Sequence, residues 1–249
     1  MKKIFLLVFT ILSLVACNES SKSLQLSPSS VNMYYEETQQ VKVLSESGSF
    51  EWTTANNFHA TVSSSGKIKA GHVGSTVITA TQGKKEGICS VTVKPKYYLY
   101  DTPYFGWGET MTQVKNKLGT PTQTQANTLV YVLSETNGII AMYMFTDGKL
   151  TSIGITLNVN NATTLANYLV ERYQLFSIDN DVYYFMNAMN FDDATLGLMM
   201  RYVKTSSMHY YQVVYAPTNQ QQYAPLRYAP SIKNDNNFEI PNDLLYLMN

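Results

Sequence analysis

The sequence predicts an all-β sandwich followed by an α+β domain in which two helices pack on one antiparallel sheet. Three observations carry that expectation. Between residues 24 and 96, short runs of β-forming residues alternate with turn residues at a spacing of about ten. From residue 108 the pattern becomes a short amphipathic helix and three strands, and that order then recurs. Hydrophobic residues make up 45% of the 249 and charged residues only 14%, so both regions have material for a core.

The first element is a leader. Met1 to Lys3 are basic, and Ile4 to Ala16 form an apolar run that stops at Cys17. A membrane-spanning helix needs about 20 apolar residues, so this run reads as a secretion signal covering 1–17. Leu14-Val15-Ala16-Cys17 resembles the lipobox of bacterial lipoproteins. That resemblance implies lipidation of Cys17 after cleavage and a membrane partner reached through the lipid, with residues 18–23 as a tether. It implies a lipid-anchored protein of the bacterial cell envelope, with the outer membrane as the expected site. Removing Lys2 and Lys3 from the 18 basic residues leaves 16 against 18 acidic ones, a formal −2. No basic stripe is present, which argues against nucleic acid as a partner.

Strands are expected at 24–27, 31–34, 39–44, 49–53, 60–63, 67–70, 75–81 and 87–94. Alternation is clearest where Cys89, Val91 and Val93 fall on one face and Ser90 and Thr92 on the other. Cys89 on that apolar face reads as an inert core thiol, and Trp52 as a core tryptophan. His59 and His72 sit in expected turns with no Cys or acidic partner at metal spacing, and both read as surface residues.

Leu26-Ser27-Pro28, Trp52-Thr53-Thr54, Ala60-Thr61-Val62-Ser63 and Gly66-Lys67-Ile68 follow one another in this stretch. Ala70-Gly71, the run Gly74 to Ala80 and the run Cys89 to Val93 complete the order. Together they resemble the group 2 bacterial immunoglobulin-like domain (BIG2), which implies an immunoglobulin-like sandwich over 24–96. Glu36 stands where the family's pattern has glycine between Tyr35 and Glu37.

Residues 97–107 are an aromatic connector containing Pro103. Thr110 with Gln113 fits a capping box, Met111, Val114 and Leu118 share a helical face, and Gly119 and Pro121 stop the helix. Strands are expected at 128–134, 139–145 and 149–157, with a hairpin turn at Thr146-Asp147-Gly148-Lys149. A second helix is expected to start at Asn161 or Thr163 and to carry Leu165, Leu169, Tyr173 and Phe176. Strands at 182–188, 195–204 and 208–215 complete a tandem α-β-β-β plan over 108–217.

Gly108, Thr110-Met111, Val114, Leu118-Gly119-Thr120-Pro121, Tyr131, Phe145 and Asp147-Gly148-Lys149-Leu150 resemble the SmpA/OmlA lipoprotein family. More broadly they are similar to domains like β-lactamase inhibitor protein. That resemblance implies a scaffold that binds other proteins, with no catalytic residue to carry over.

The residues themselves offer little catalysis. No HExxH, GxSxG or phosphate-cradling glycine loop is present, and of the three histidines His209 lies far from the other two in sequence. Asp179-Asn180-Asp181 and Asp192-Asp193 lack a bidentate glutamate at calcium-loop spacing and read as turns. The sequence therefore points to a non-enzyme without cofactor or metal. Its distinctive feature is 19 tyrosines. Tyr183, Tyr184, Tyr210 and Tyr211 fall in expected strands, where neighbours point to opposite faces, and are the candidate contacts for a protein or a glycan. The C-terminal stretch 218–249 carries Tyr-Ala-Pro repeats and Gln220-Gln221-Gln222.

These features lead to a lipid-anchored spacer or adhesion module displaying a binding domain. Two alternatives are a periplasm-facing accessory of outer-membrane assembly and a surface glycan-binding lipoprotein of an uptake system.

Overall fold

Residues 85–93 show how the N-terminal domain is built. Gly87, Cys89, Val91 and Val93 alternate with exposed or half-exposed neighbours, so one side of the strand is buried and the other wet. The same alternation recurs at 74–82 and 139–146 in the computed structural model, which describes residues 23–179, 181–204, 206 and 209–218. The leader with Cys17 and the Tyr-Ala-Pro repeats after Pro217 lie outside the described residues.

Nine strands make the first domain. They are β1 (Leu26–Ser27), β2 (Ser30–Met33), β3 (Thr38–Gln40), β4 (Lys42–Val43) and β5 (Glu51–Thr54), then β6 (Ala60–Val62), β7 (Lys67–Ala70), β8 (Gly74–Gln82) and β9 (Lys85–Val93). One sheet has the order β2-β9-β8-β5, the other β3-β7-β6, and β1 pairs with β4. All pairs are antiparallel except β2 with β9. The core between the sheets holds Leu26, Met33, Val41, Ile68, Ile78, Cys89, Val91 and Val93. Trp52 is half-buried and packs against that core, as expected for a structural tryptophan. The Cys89 thiol is 0% exposed, and burial pushes its pKa up, away from reactivity. At the turn where the pattern has glycine, Glu36 takes φ 68°, a left-handed conformation, and its carboxylate lies 2.6 Å from Lys69 Nζ.

The second domain contains helix α1 (Met111–Leu118) and then β10 (Gln123–Gln125), β11 (Thr128–Ser134), β12 (Ile139–Thr146) and β13 (Lys149–Asn158). Helix α2 (Ala162–Val170) follows, with β14 (Gln174–Asp179), β15 (Val182–Met186), β16 (Leu196–Lys204) and β17 (His209–Pro217). The capping box of Thr110 and Gln113 is formed, and Gly119 caps the end of α1. Asp147 and Gly148 both take positive φ in the two-residue turn between β12 and β13, the geometry that matches strand twist.

Each half therefore holds four strands, not three. Two strands escape the sequence pattern for different reasons. Residues 123–125 are all polar and exposed, so they carry no alternation of burial. Residues 174–179 continue the apolar spacing of α2, which ends at Val170, so Tyr173 lies past the helix and Phe176 in an edge strand.

All eight strands join one antiparallel sheet in the order β10-β11-β12-β13-β17-β16-β15-β14. The halves meet where their fourth strands pair, with Ile153 opposite Tyr215 and Ile155 opposite Val213. Both helices press on one face, and a single core joins Val114 and Leu165, Tyr168 and Leu169 to Leu129, Tyr143, Ile153, Phe185, Leu198 and Val213. The connector belongs to this core as well. Leu99 and Tyr100 are buried, and the hydroxyls of Tyr100 and Tyr215 are 2.8 Å apart. Burial holds both phenols well above their ordinary pKa.

Candidate binding face and interdomain joint

Alternation divides the four candidate tyrosines into two pairs. Tyr183 and Tyr211 point to the helix-covered face and are 1% and 5% exposed, so neither reaches a ligand. This corrects the expectation for both: the covering helices claim that face. Tyr184 and Tyr210 point to the opposite face and are half-buried. Tyr184 stands opposite Met199 and Tyr210 opposite Val203, four residues further along β16. Strand spacing puts them about 16 Å apart, too far to sandwich one sugar ring.

What this second face does carry is a row of apolar side chains running across six strands. Val130 pairs with Met142, Met142 with Gly154, Gly154 with Val214, Val214 with Met199, and Met199 with Tyr184. The side chains in this row are half-buried, and none belongs to the helix-side core. Val132 and Ile140 extend the row on one side, and Val132 is 40% exposed. Met142 and Met144 lean over the bare backbone of Gly154, where an added Cβ would lie 3.4 and 3.5 Å from their methyl groups. Flexible thioethers beside a glycine make an adaptable surface. At one end the β15–β16 connection folds back over the face, and its Ala188 and Ala194 cluster with Met186, Phe176 and Phe191.

A second feature escaped the sequence reading. His72 is buried at 5% exposure, which corrects its expected surface position. The turn between β7 and β8 is capped by the other domain, an event invisible to local pattern. His72 Nδ1 lies 3.0 Å from the Val170 carbonyl oxygen and Nε2 lies 3.4 Å from Gln174 Oε1. The ring packs on Phe58 and Tyr35. Burial outweighs those contacts and lowers its pKa to about 4. His59, by contrast, is half-buried, with Nδ1 3.1 Å from the His72 carbonyl oxygen.

Beside His72, the amide of Val73 donates to the Glu171 carbonyl. The Glu171 carboxylate, buried at the end of α2, accepts the amides of Lys96 and Tyr97 at 2.9 and 3.0 Å and is 2.5 Å from Arg172 Nη1. Arg172 Nη2 donates to the Tyr97 carbonyl, and its guanidinium lies 3.9 Å from the Tyr168 ring centroid. The chain leaving the sandwich is thus tied at both its amides and a carbonyl to the domain it enters.

For catalysis the described residues bring little together. No group of three or more His, Cys, Asp or Glu side chains gathers at metal-binding distance among them. Asp193 serves a turn, taking Asn190 Nδ2 on its carboxylate and giving its amide to Asn190 Oδ1, and Asp181 occupies a turn at φ 63°. His209 pairs with the Tyr202 hydroxyl on an exposed strand end. No described helix is long and apolar enough to cross a membrane.

With the sandwich, its pairing order and its core in place, comparison with known families gives a match. Residues 21–93 match the bacterial Ig-like domain (group 2). The Ig-like domain thus accounts for β1 to β9, and the match covers none of the eight-stranded sheet. No curated protein matches the chain. Among solved structures, domains 5–6 of the S-layer protein SbsC align over 80% of this chain and 86% of that one, at 14% identity and a TM-score of 0.27. Domains 4–9 of the surface layer protein SbsC align over 80% of this chain and 27% of that one, at 14% identity and a TM-score of 0.25. Superpositions this loose define no shared site.

Proposed function

We propose that this chain is a non-catalytic, lipid-anchored protein of the bacterial cell envelope. Cys17 carries the lipid, the Ig-like domain is the spacer, and the eight-stranded sheet presents its uncovered face to a protein partner. The row from Val130 to Tyr184 carries this reading: six strands present a continuous apolar surface that the helices leave open. Hydrophobic centres flanked by aromatic residues are what protein contacts use. Support for the envelope comes from the bacterial Ig-like match and from the leader ending in Leu14-Val15-Ala16-Cys17. The Glu171 clamp ties the sheet domain to the Ig-like domain, which supports a spacer that holds the displayed face in a defined direction relative to the sandwich.

Metabolic labelling with a radioactive fatty acid tests the anchor: wild type takes up label and Cys17→Ala does not. Label in neither chain removes the lipid from the reading. Protease treatment of intact cells then reports the side of the membrane, since a surface-displayed sheet domain is cut and a periplasm-facing one is protected.

A further inference from the structure

The side of the eight-stranded sheet opposite the helices has a centre line. Four strands lie on each side of it, one set from each helix-and-strands unit, and the sets meet where β13 pairs with β17. The apolar row crosses that line at Gly154 and Val214, which stand directly opposite each other. One is a dip and the other a bump. Gly154 has no side chain, and an added Cβ would lie 3.4 and 3.5 Å from the Met142 and Met144 methyls, whereas Val214 stands half-buried beside it.

A half-turn about that line, running along the strands, exchanges β13 with β17, β12 with β16 and β11 with β15. Applied to two sheets packed face to face, it seats Val214 of each copy on Gly154 of the other, Met142 on Met199, and Val130 on Tyr184. The face is complementary to itself. Charge agrees with that pairing. In the next row Arg201, which donates to Gln212 Oε1 at 2.9 Å, comes over Ile140 of the other copy. The two Arg201 positions then stand three strand spacings apart, about 14 Å, beyond the screening length at physiological salt.

Area sets the strength. Six strands span about 24 Å and three facing residues per strand about 20 Å, giving about 500 Å2 per copy and about 1,000 Å2 in the pair. That is the lower bound for a specific interface, so the pair is a weak one, with a Kd of about 10 µM.

We propose that the chain forms a two-fold dimer through this face, each Val214 seated on Gly154 of the other copy. The dimer rests on the reading that this face meets a protein, and it names that protein as a second copy of the chain.

The test uses the purified full chain with Met142→p-benzoylphenylalanine. Irradiation is expected to join two copies through the peptide containing Met199, in a yield that rises with concentration. The same probe at Ile88, 60% exposed on the Ig-like domain, joins none. Sedimentation is the second readout. Met142→Lys and Met199→Glu are each expected to weaken the dimer about tenfold or more, and an equimolar mixture of the two to restore a pair. Misfolding cannot produce that rescue. Peroxide oxidation is the third. From about 1 to about 100 µM the unpaired fraction falls from about 0.85 to about 0.2, so oxidation of Met142 and Met199 should slow about fourfold. Met33, 3% exposed in the sandwich core, stays slow at both. A monomer at the higher concentration, adducts to any other surface, or no rescue in the mixture overturns the dimer. Where the methionines of that monomer oxidise fast, the face is free for a different protein and the proposed function stands. Where they oxidise slowly at every concentration, that reading falls with the dimer.

Discussion

Replacing Glu171 with Gln should loosen the joint between the two domains. The carboxylate is 2% exposed and holds three donors, two of them backbone amides of the entering chain. Hydrogen bonds to a charged group contribute about 1.5–3 kcal/mol each. An amide keeps one carbonyl oxygen and turns an NH2 toward a donor, so one amide loses its acceptor at a cost of about 1–3 kcal/mol. Arg172, 12% exposed at its side chain, also loses its counter-charge. Breaking a buried pair from one side costs about 3–5 kcal/mol in all. At about 2–4 °C per kcal/mol for a chain of this size, the melting temperature should fall by about 10 °C. Differential scanning calorimetry of the full chain measures it, with Glu86→Gln, an exposed carboxylate, as the control that barely moves. A fall of less than about 2 °C for Glu171→Gln would refute the clamp.

His72 supplies a pH signature. Its folded pKa of about 4 lies below the ordinary 6.5, so the unfolded chain binds the proton first as pH falls. The stability at issue is complete above pH 6.5 and is lost between 6.5 and 4, totalling about 3 kcal/mol. Urea titrations of wild type and His72→Gln across that window should converge toward acid; parallel curves contradict the assignment. Gly66→Ala should destabilise the sandwich by at least about 2 kcal/mol, because φ is 79° and the new Cβ would lie 2.6 Å from the Val41 carbonyl and 2.7 Å from the Trp52 ring. Unchanged thermal unfolding would show that the turn yields. Cys89 should resist iodoacetamide in the folded protein and react in urea, read by mass spectrometry; modification at equal rates in both would place the thiol at the surface.

Local chemistry was enough for much of the fold. Most of the sandwich strands, the Thr110–Gln113 box, the Asp147-Gly148 turn and the shared face of Cys89, Val91 and Val93 depend on neighbours a few residues away and lie where the pattern places them. The single strand expected at 39–44 is instead split into β3 and β4, which pair in different sheets. The tandem order of helix and strands was legible for the same reason. Its two extra strands were not, because Gln123–Gln125 is polar throughout and Gln174–Asp179 carries on the spacing of α2.

Period-two alternation also determined that Tyr183 and Tyr184, and likewise Tyr210 and Tyr211, face opposite ways. Which member of each pair is buried was decided by the tertiary structure alone, since that depends on where two helices come to rest. The burial of His72 and Glu171 belongs to the same class. Each sits in a segment that would be wet within its own domain, and only contact across some hundred residues of sequence removes the water. A sequence states the affinities of neighbours along the chain; desolvation depends on neighbours in space, and packing alone selects those.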